Sequence, residues 1–265
     1  MTLISIIIPA YNAQKFVNRC LDSILSQTFK DFEIIIVADK SNDNTWDVLK
    51  NYQKCCLEKL DRRIQLIFNE KKTSPAKARN IGINAAKGDF IALCDIDDEW
   101  VPNKLQNQVN FMADNPDIDL CYTGGLLISK KREVNIPSRE WTKLSLLWEN
   151  YIIASTIFVR MKAINHLKET CGYVFDENFK NSDDYDFLLM LNKFIKMGRS
   201  TPEMMAKIYI HGENMTVNSG FFKQLKIMAP FAKKHGFWMF IRAFLIIPFT
   251  FFINSKKKIF PQPWL

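Results

Sequence analysis

Apolar residues enter this chain in short unbroken runs, separated by stretches in which they recur every three or four positions. Residues 3–8 (LISIII) form the first run, stopped by Pro9, and Phe16, Val17, Cys20, Leu21, Ile24 and Leu25 then mark one face of a helix. Residues 33–37 (EIIIV) are a second run, a helix is expected over 43–57, and a third run follows at 64–68. A helix over 75–86 leads to a fourth run at 90–94. Unbroken runs this short suit strands covered on both faces, and strand–helix alternation repeated through the first hundred residues predicts an α/β fold with a parallel sheet flanked by helices. Beyond Pro102 the pattern loosens. We read a helix to about residue 113, a turn at Asn115-Pro116, a strand over 120–123, a polar stretch over 130–139, a strand over 156–160, a helix over 185–197 and a strand over 204–210. This half reads as an α+β continuation facing the sheet across a crevice, with no internal repeat or low-complexity linker between the halves.

The fourth run ends in acid: FIALCDIDDEW places Asp95, Asp97 and Asp98 at the carboxyl end of a buried strand, where open α/β sheets bind ligands. Asp95 and Asp97, two apart on an extended segment, would point the same way and approach one hard divalent cation able to hold a diphosphate. Taken alone, three acids after a strand equally suit a solvated turn or a helix N-terminus.

Charge changes the picture once it is located. The net +8 belongs to the end of the chain: from Asn214 onward there are eight basic residues and no acid, leaving 28 basic against 28 acidic groups elsewhere. Residues 237–253 (FWMFIRAFLIIPFTFFI) are apolar apart from Arg242, are interrupted by Pro248, and precede Lys256, Lys257 and Lys258. This is short for a bilayer-spanning helix, which needs about 20 residues. A helical segment lying in an anionic membrane interface is the favoured reading, against packing on the body or on a second copy in a homodimer, and against spanning. Phe and Trp between the lysines argue against nucleic acid. The amino terminus shows no basic region followed by an apolar core and cleavage site, so a cytoplasmic location is expected, peripheral on the inner membrane. The six cysteines show neither CxxC nor zinc spacing and read as reduced core residues.

Four segments then stand together: SIIIPAYN from Ser5, EIIIVADKSNDNT from Glu33, ARNIGINAAKGDFIALCDIDDEW from Ala78, and DENFKNSDDYDF from Asp176. In this order and spacing they resemble the inverting family 2 glycosyltransferases of GT-A fold, over roughly the first 215 residues. The resemblance implies a Rossmann-like nucleotide-sugar fold over residues 1–213, with a donor half (1–100), an acceptor and catalytic half (101–213), and a basic, aromatic tail (214–265). It places Pro9, Tyr11 and Asn12 around the nucleotide base and ribose, with Tyr11 able to stack on the base. Asp39 would accept from a uracil ring. Ala38 and Lys40 depart from the family's DDGSTD-like pattern, a change that could turn Lys40 toward a phosphate. Arg79, with Lys77, would lie near the nucleotide, although an Arg at a helix start is also commonly just solvated.

Asp95-Ile96-Asp97 corresponds to the family's DxD motif, with Asp97 ranked first for Mg²⁺ or Mn²⁺ and Asp95 leaning toward ribose or a metal-bound water. His211 occupies a place where relatives often carry a His near the diphosphate or metal, though a lone His after a strand is also commonly structural. Asp183 and Asp184 match the family's ED-type motif, Asp184 being the expected base, although with Asp186 they equally suit helix N-terminal positions. The implied reaction is metal-dependent transfer of a single sugar, with inversion, from a UDP-hexose or UDP-N-acetylhexosamine to a lipopolysaccharide, capsule or polyprenyl-linked saccharide; the QxxRW motif of processive synthases is missing. A nucleotidyltransferase would share the sheet and acids but needs a Gly-rich loop after the first strand, which Pro9-Ala10-Tyr11-Asn12 does not supply. A degenerate nucleotide-sugar-binding scaffold is the third reading, supported by Ala38 and Lys40.

Overall fold

A computed structural model describes residues 3–130, 132–148, 150–179, 182–211 and 233–235. The expected alternation appears in the first half: β1 (Ile4–Ala10), α1 (Val17–Leu25), β2 (Phe32–Asp39), α2 (Thr45–Glu58), β3 (Ile64–Asn69), α3 (Pro75–Ala85) and β4 (Phe90–Leu93). These four strands lie parallel in the order β3-β2-β1-β4. Along β1 the side chains alternate: Ile4, Ile6 and Ile8 join the core under α1 and α2, and Ile7 joins the core under α3. Both faces are covered, which is why the sequence shows unbroken runs.

Pro9 does not stop β1, which continues to Ala10. Ile7 turns its carbonyl toward β4, where it accepts from the Cys94 amide, so Pro9, two residues on, faces the same side beyond the last paired residue of β4. The missing N–H therefore costs no ladder bond.

The second half adds β5 (Glu99–Trp100), α4 (Lys104–Asp114), β6 (Leu120–Ile128), β7 (Glu133–Ile136), α5 (Lys143–Trp148), a 3₁₀ turn at Ala154–Thr156, β8 (Phe158–Arg160), α6 (Met161–Cys171), α7 (Asp183–Leu191) and β9 (Met197–Tyr209). The sheet continues past β4 as β8-β6-β9-β5, with β7 on β6. The β4–β8, β8–β6, β9–β5 and β6–β7 pairs are antiparallel, while β6–β9 is parallel. α7 ends six residues before the expected 197, because Asn192 turns its amide to the Lys143 carbonyl and accepts from the Trp141 indole. β9 begins seven residues before the expected 204. Its early part, MGRSTP, is too polar to read as a strand, and its register with β6 shifts around Gly124. There a Cβ would lie 2.9 Å from the Glu203 carbonyl, so only glycine admits that strand crossing.

The segment at 233–235 packs on α7. Asp186 is fully buried and receives His235 Nε2 at 2.7 Å and Lys234 Nζ at 2.7 Å; Lys234 also reaches Asp176 at 2.8 Å. Among the described residues no helix is long and apolar enough to cross a membrane. Residues 237–253 and Lys256 to Lys258, where an interfacial segment is expected, lie outside the described residues.

Lys104 is another buried charge. Its side chain is shut off from solvent, donates to Gln108 Oε1 at 2.7 Å and lies 3.9 Å from the centre of the Trp100 ring. Burial pushes its pKa down from the ordinary 10.5 to about 7. The folded pKa lies below the unfolded one, so the cost of holding the charge is full below about pH 7 and fades as pH rises toward 10.5.

Two outcomes are expected. Lys104→Met should stabilise the fold at neutral pH by about 1 kcal/mol, net of the lost bond to Gln108, with the gain shrinking in alkaline denaturant titrations. Lys234→Met should destabilise by about 2 kcal/mol, a fall of roughly 4–8 °C in melting temperature, because Asp186 keeps its burial and loses a cation. Lys233→Met, at an exposed position, is the control.

Candidate functional site

The loops following β1, β2 and β4, the amino ends of α3 and α7, and the end of β9 supply the side chains the sequence singled out. The first two loops are stitched together. Asn12, left-handed at φ 49°, donates its amide to Ser41 Oγ at 3.0 Å and accepts from the Asn42 amide at 2.9 Å. The Ala13 amide donates to Thr45 Oγ1 at 2.7 Å, and the Asn44 amide to Gln14 Oε1 at 2.9 Å. Short polar residues thus fix the loop where Lys40 replaces glycine. The Lys40 ammonium lies 5.1 Å from the centre of the Trp46 ring.

Asp39 is buried at the end of β2, accepting from Asn69 Nδ2 at 2.8 Å and from the Thr73 amide and hydroxyl. A carboxylate has about four lone-pair sites, so a further N–H donor has somewhere to bind. Tyr11 stays partly exposed with Lys72 Nζ 4.0 Å from its ring centre, and Pro9 is partly exposed in β1. Lys77 is solvated at the start of α3, 3.9 Å from Glu177.

The acids after β4 do not continue an extended segment. β4 ends at Leu93, and the Asp98 amide bonds back to the Asp95 carbonyl, closing a turn in which the three carboxylates take different partners. Asp95 meets Arg79 Nη2 at 2.6 Å, Asp97 meets His211 Nε2 at 2.8 Å, and Asp98 takes the Ser155 hydroxyl. Ile96 turns its side chain into the core, so any ligand contact it makes is through its main chain. Burial and then the Asp95 charge raise the Asp97 pKa, against the pull of His211. Burial and then the Asp97 charge push the Asp98 carboxyl well above its ordinary value, against the pull of the Ser155 hydroxyl.

His211 stacks on Phe16 with ring centres 4.9 Å apart. Arg19, on α1, donates to the Asp97 carbonyl and lies 3.6 Å from the centre of the Tyr209 ring. Arg19, Lys72, Thr73 and Ser155 escaped the sequence reading. Each meets its partner more than thirty residues away, so no local spacing could reveal it.

α7 presents the second acidic group behind Ser182, whose φ of 60° is left-handed. Asp183 is buried and bonded to Arg79 Nη1, while Asp184 keeps a partly exposed edge. Burial, then the Asp183 charge, raises Asp184 to about 6, with Arg79 pulling the other way. Arg79 itself is 4% exposed and spans from Asp95 to Asp183, so it lies between the two acidic groups rather than open to the crevice.

Asp97, Asp95 and His211 offer hard oxygens and an imidazole, a set that suits Mg²⁺ or Mn²⁺. Among the described residues no three His, Cys, Asp or Glu side chains come together as a group that could hold a metal ion, so protein ligands here would be fewer than three. Mg²⁺ normally keeps waters and takes substrate phosphate oxygens in such places, and a diphosphate could approach these carboxylates only with a cation between them. The residues fit the ion on that footing.

Comparison with known proteins agrees with this geometry. The profile described as Glycosyl transferase family 2 matches residues 5–173. An uncharacterized glycosyltransferase of Haemophilus influenzae is 34% identical over 201 residues, 74% of each chain. The Escherichia coli protein WfaP, named UDP-Glc:alpha-D-GlcNAc-diphosphoundecaprenol beta-1,3-glucosyltransferase, is 44% identical over 112 residues, 42% of each chain. The crystal structure of residues 1–349 of S. aureus TarS in complex with UDP superimposes with a TM-score of 0.66 at 21% identity, covering 88% of this chain and 66% of that one. The fold is GT-A, and the chain belongs to glycosyltransferase family 2.

Proposed function

We propose that this protein transfers one sugar, with inversion, from a UDP-hexose or UDP-N-acetylhexosamine to a saccharide of the cell envelope carried on a polyprenyl diphosphate or related lipid. The observation that carries this reading is Asp184: a partly exposed carboxylate held at about 6, on the helix that Arg79 ties to the turn bearing Asp95 and Asp97. A group of that pKa is ionised at neutral pH and still basic enough to take a proton. The UDP donor is supported by Asp39 at the end of β2 and by the name of the E. coli relative, which also supports a diphosphoundecaprenol-linked acceptor. A lipid acceptor gives the basic tail a use, holding the enzyme peripherally at an anionic membrane surface.

In the proposed reaction the acceptor hydroxyl attacks the anomeric carbon from the face opposite the diphosphate. Asp184 takes the hydroxyl proton as the new C–O bond forms, and the electron pair of the breaking bond leaves on the diphosphate oxygen. Asp183, neutralised by Arg79, holds the start of α7 in place. Asp97, with Asp95 or His211, would hold the divalent ion, which would supply charge stabilisation to the departing diphosphate. Asn12, Tyr11, Pro9 and Asp39 orient the nucleotide, with Lys77 at its edge.

Asp184→Asn should lower transfer by about 10²–10⁴-fold while leaving UDP binding intact, measured by product formation and calorimetry. In the wild type, transfer should fall as pH drops through about 6, because protonation removes the base. Full transfer by Asp184→Asn would remove the base assignment. Nucleotide release from a panel of UDP-, GDP- and dTDP-sugars, with a lipid-linked saccharide acceptor present, should occur with one UDP-sugar, stop with EDTA, and be lost in Asp97→Ala.

A further inference from the structure

We propose that Arg79 is a positioning residue that locks the donor-side turn to the base helix, rather than a contact to the nucleotide; this rests on the assignment of Asp184 as base. The guanidinium is 4% exposed. Its Nη2 reaches Asp95 at 2.6 Å and its Nη1 reaches Asp183, and its Nε has no hydrogen-bond partner among the described residues. Both of its fixed contacts are therefore carboxylates, one from each half of the crevice. A planar fork with donors in fixed directions can hold two carboxylates at a set separation, which an ammonium cannot do.

The place of the fork is itself fixed by packing. Arg79 sits one turn into α3, which lies so close to β1 that a Cβ at Gly82 would come within 2.7 Å of Ile7 Cγ2. The Phe175 ring centre lies 5.6 Å from the guanidinium. Arg79 thus refers the turn after β4 and the start of α7 to one rigid helix.

The charge matters as well as the shape. The charged groups around Asp184 are Asp183 beside it, Asp95 from the turn after β4, and Arg79 from α3; farther along α7, Lys234 and His235 are engaged by Asp186. Asp183 and Asp95 disfavour ionisation of Asp184, and Arg79 opposes both. Its own pKa follows the same account: burial works against its charge, and Asp183, Asp95 and Asp184 more than offset it, so it stays protonated at every working pH.

The test compares Arg79→Met, Arg79→Lys and the double variant Arg79→Met/Asp183→Asn with wild type. It measures UDP affinity by calorimetry with Mn²⁺ present, together with kcat against pH. Arg79→Met should bind UDP within about twofold of wild type and lose at least about tenfold in kcat, with the acid limb of its pH profile moved up by roughly one unit. Arg79→Lys should keep the limb near its wild-type position, because the charge survives, while recovering only part of kcat. The double variant removes the buried carboxylate that Arg79→Met leaves unpaired, so it should bind UDP and still lose kcat. An unmoved acid limb together with weakened UDP binding would overturn the proposal and return Arg79 to the nucleotide. Retained transfer in Asp184→Asn would instead overturn the base assignment, so the two failures are distinguishable.

Discussion

Carboxylates that must work in one crevice repel each other, and the fold answers this with a guanidinium inserted between them. Asp95 and Asp183 come from segments 88 residues apart, and each bonds to a different nitrogen of Arg79. Without a cation at that point, the turn after β4 and the start of α7 would each lower their energy by moving apart. With it, their mutual repulsion is offset inside the protein. The rest of the site depends on that arrangement.

The neighbouring loops show a similar economy of small polar groups. Ala38 and Lys40 remove an acid and a glycine that relatives use after the second strand, yet the loop is held by Ser41, Asn42 and Thr45 bonded across to Asn12 and Ala13. Asp39 survives with its carboxylate fixed by Thr73. The departure changes which atoms brace the loop, while the acid that would meet a base stays in place. This weakens the case for a degenerate scaffold, which rested on those two positions.

The legibility of the fold follows from burial. β1, β2 and β4 are covered on both faces and so appear as apolar runs; α1 exposes one face and so shows helical spacing. The second half obeys other rules. β5 has two residues, β7 alternates between exposed and half-buried positions, and the early part of β9 is polar, so none carries a strong pattern. At the site, acids gathered at element ends were visible as Asp95, Asp97, Asp183 and Asp184. Their orientations were not, because the turn at Asp95 and the partners Arg79, His211 and Ser155 are set by contacts across the fold. Arg79 shows the limit most clearly: its position beside a donor motif suggested a nucleotide contact, and its burial between two carboxylates suggests another role.

The packing of Lys234 and His235 on Asp186 bears on when the molecule becomes competent during its synthesis. Asp186 emerges from the ribosome 48 residues ahead of Lys234, roughly 2–10 s at ordinary elongation rates. Through that interval α7 holds a carboxylate meant for burial before Lys234, the cation paired with it, exists. The helix carrying Asp184 therefore gains its last described polar contacts only when residues 234 and 235 have been made. A polypeptide released short of residue 235 would contain every motif of the family and still leave that helix with an unmatched charge. Synthesis as far as residue 235 is thus coupled to the surroundings of that helix.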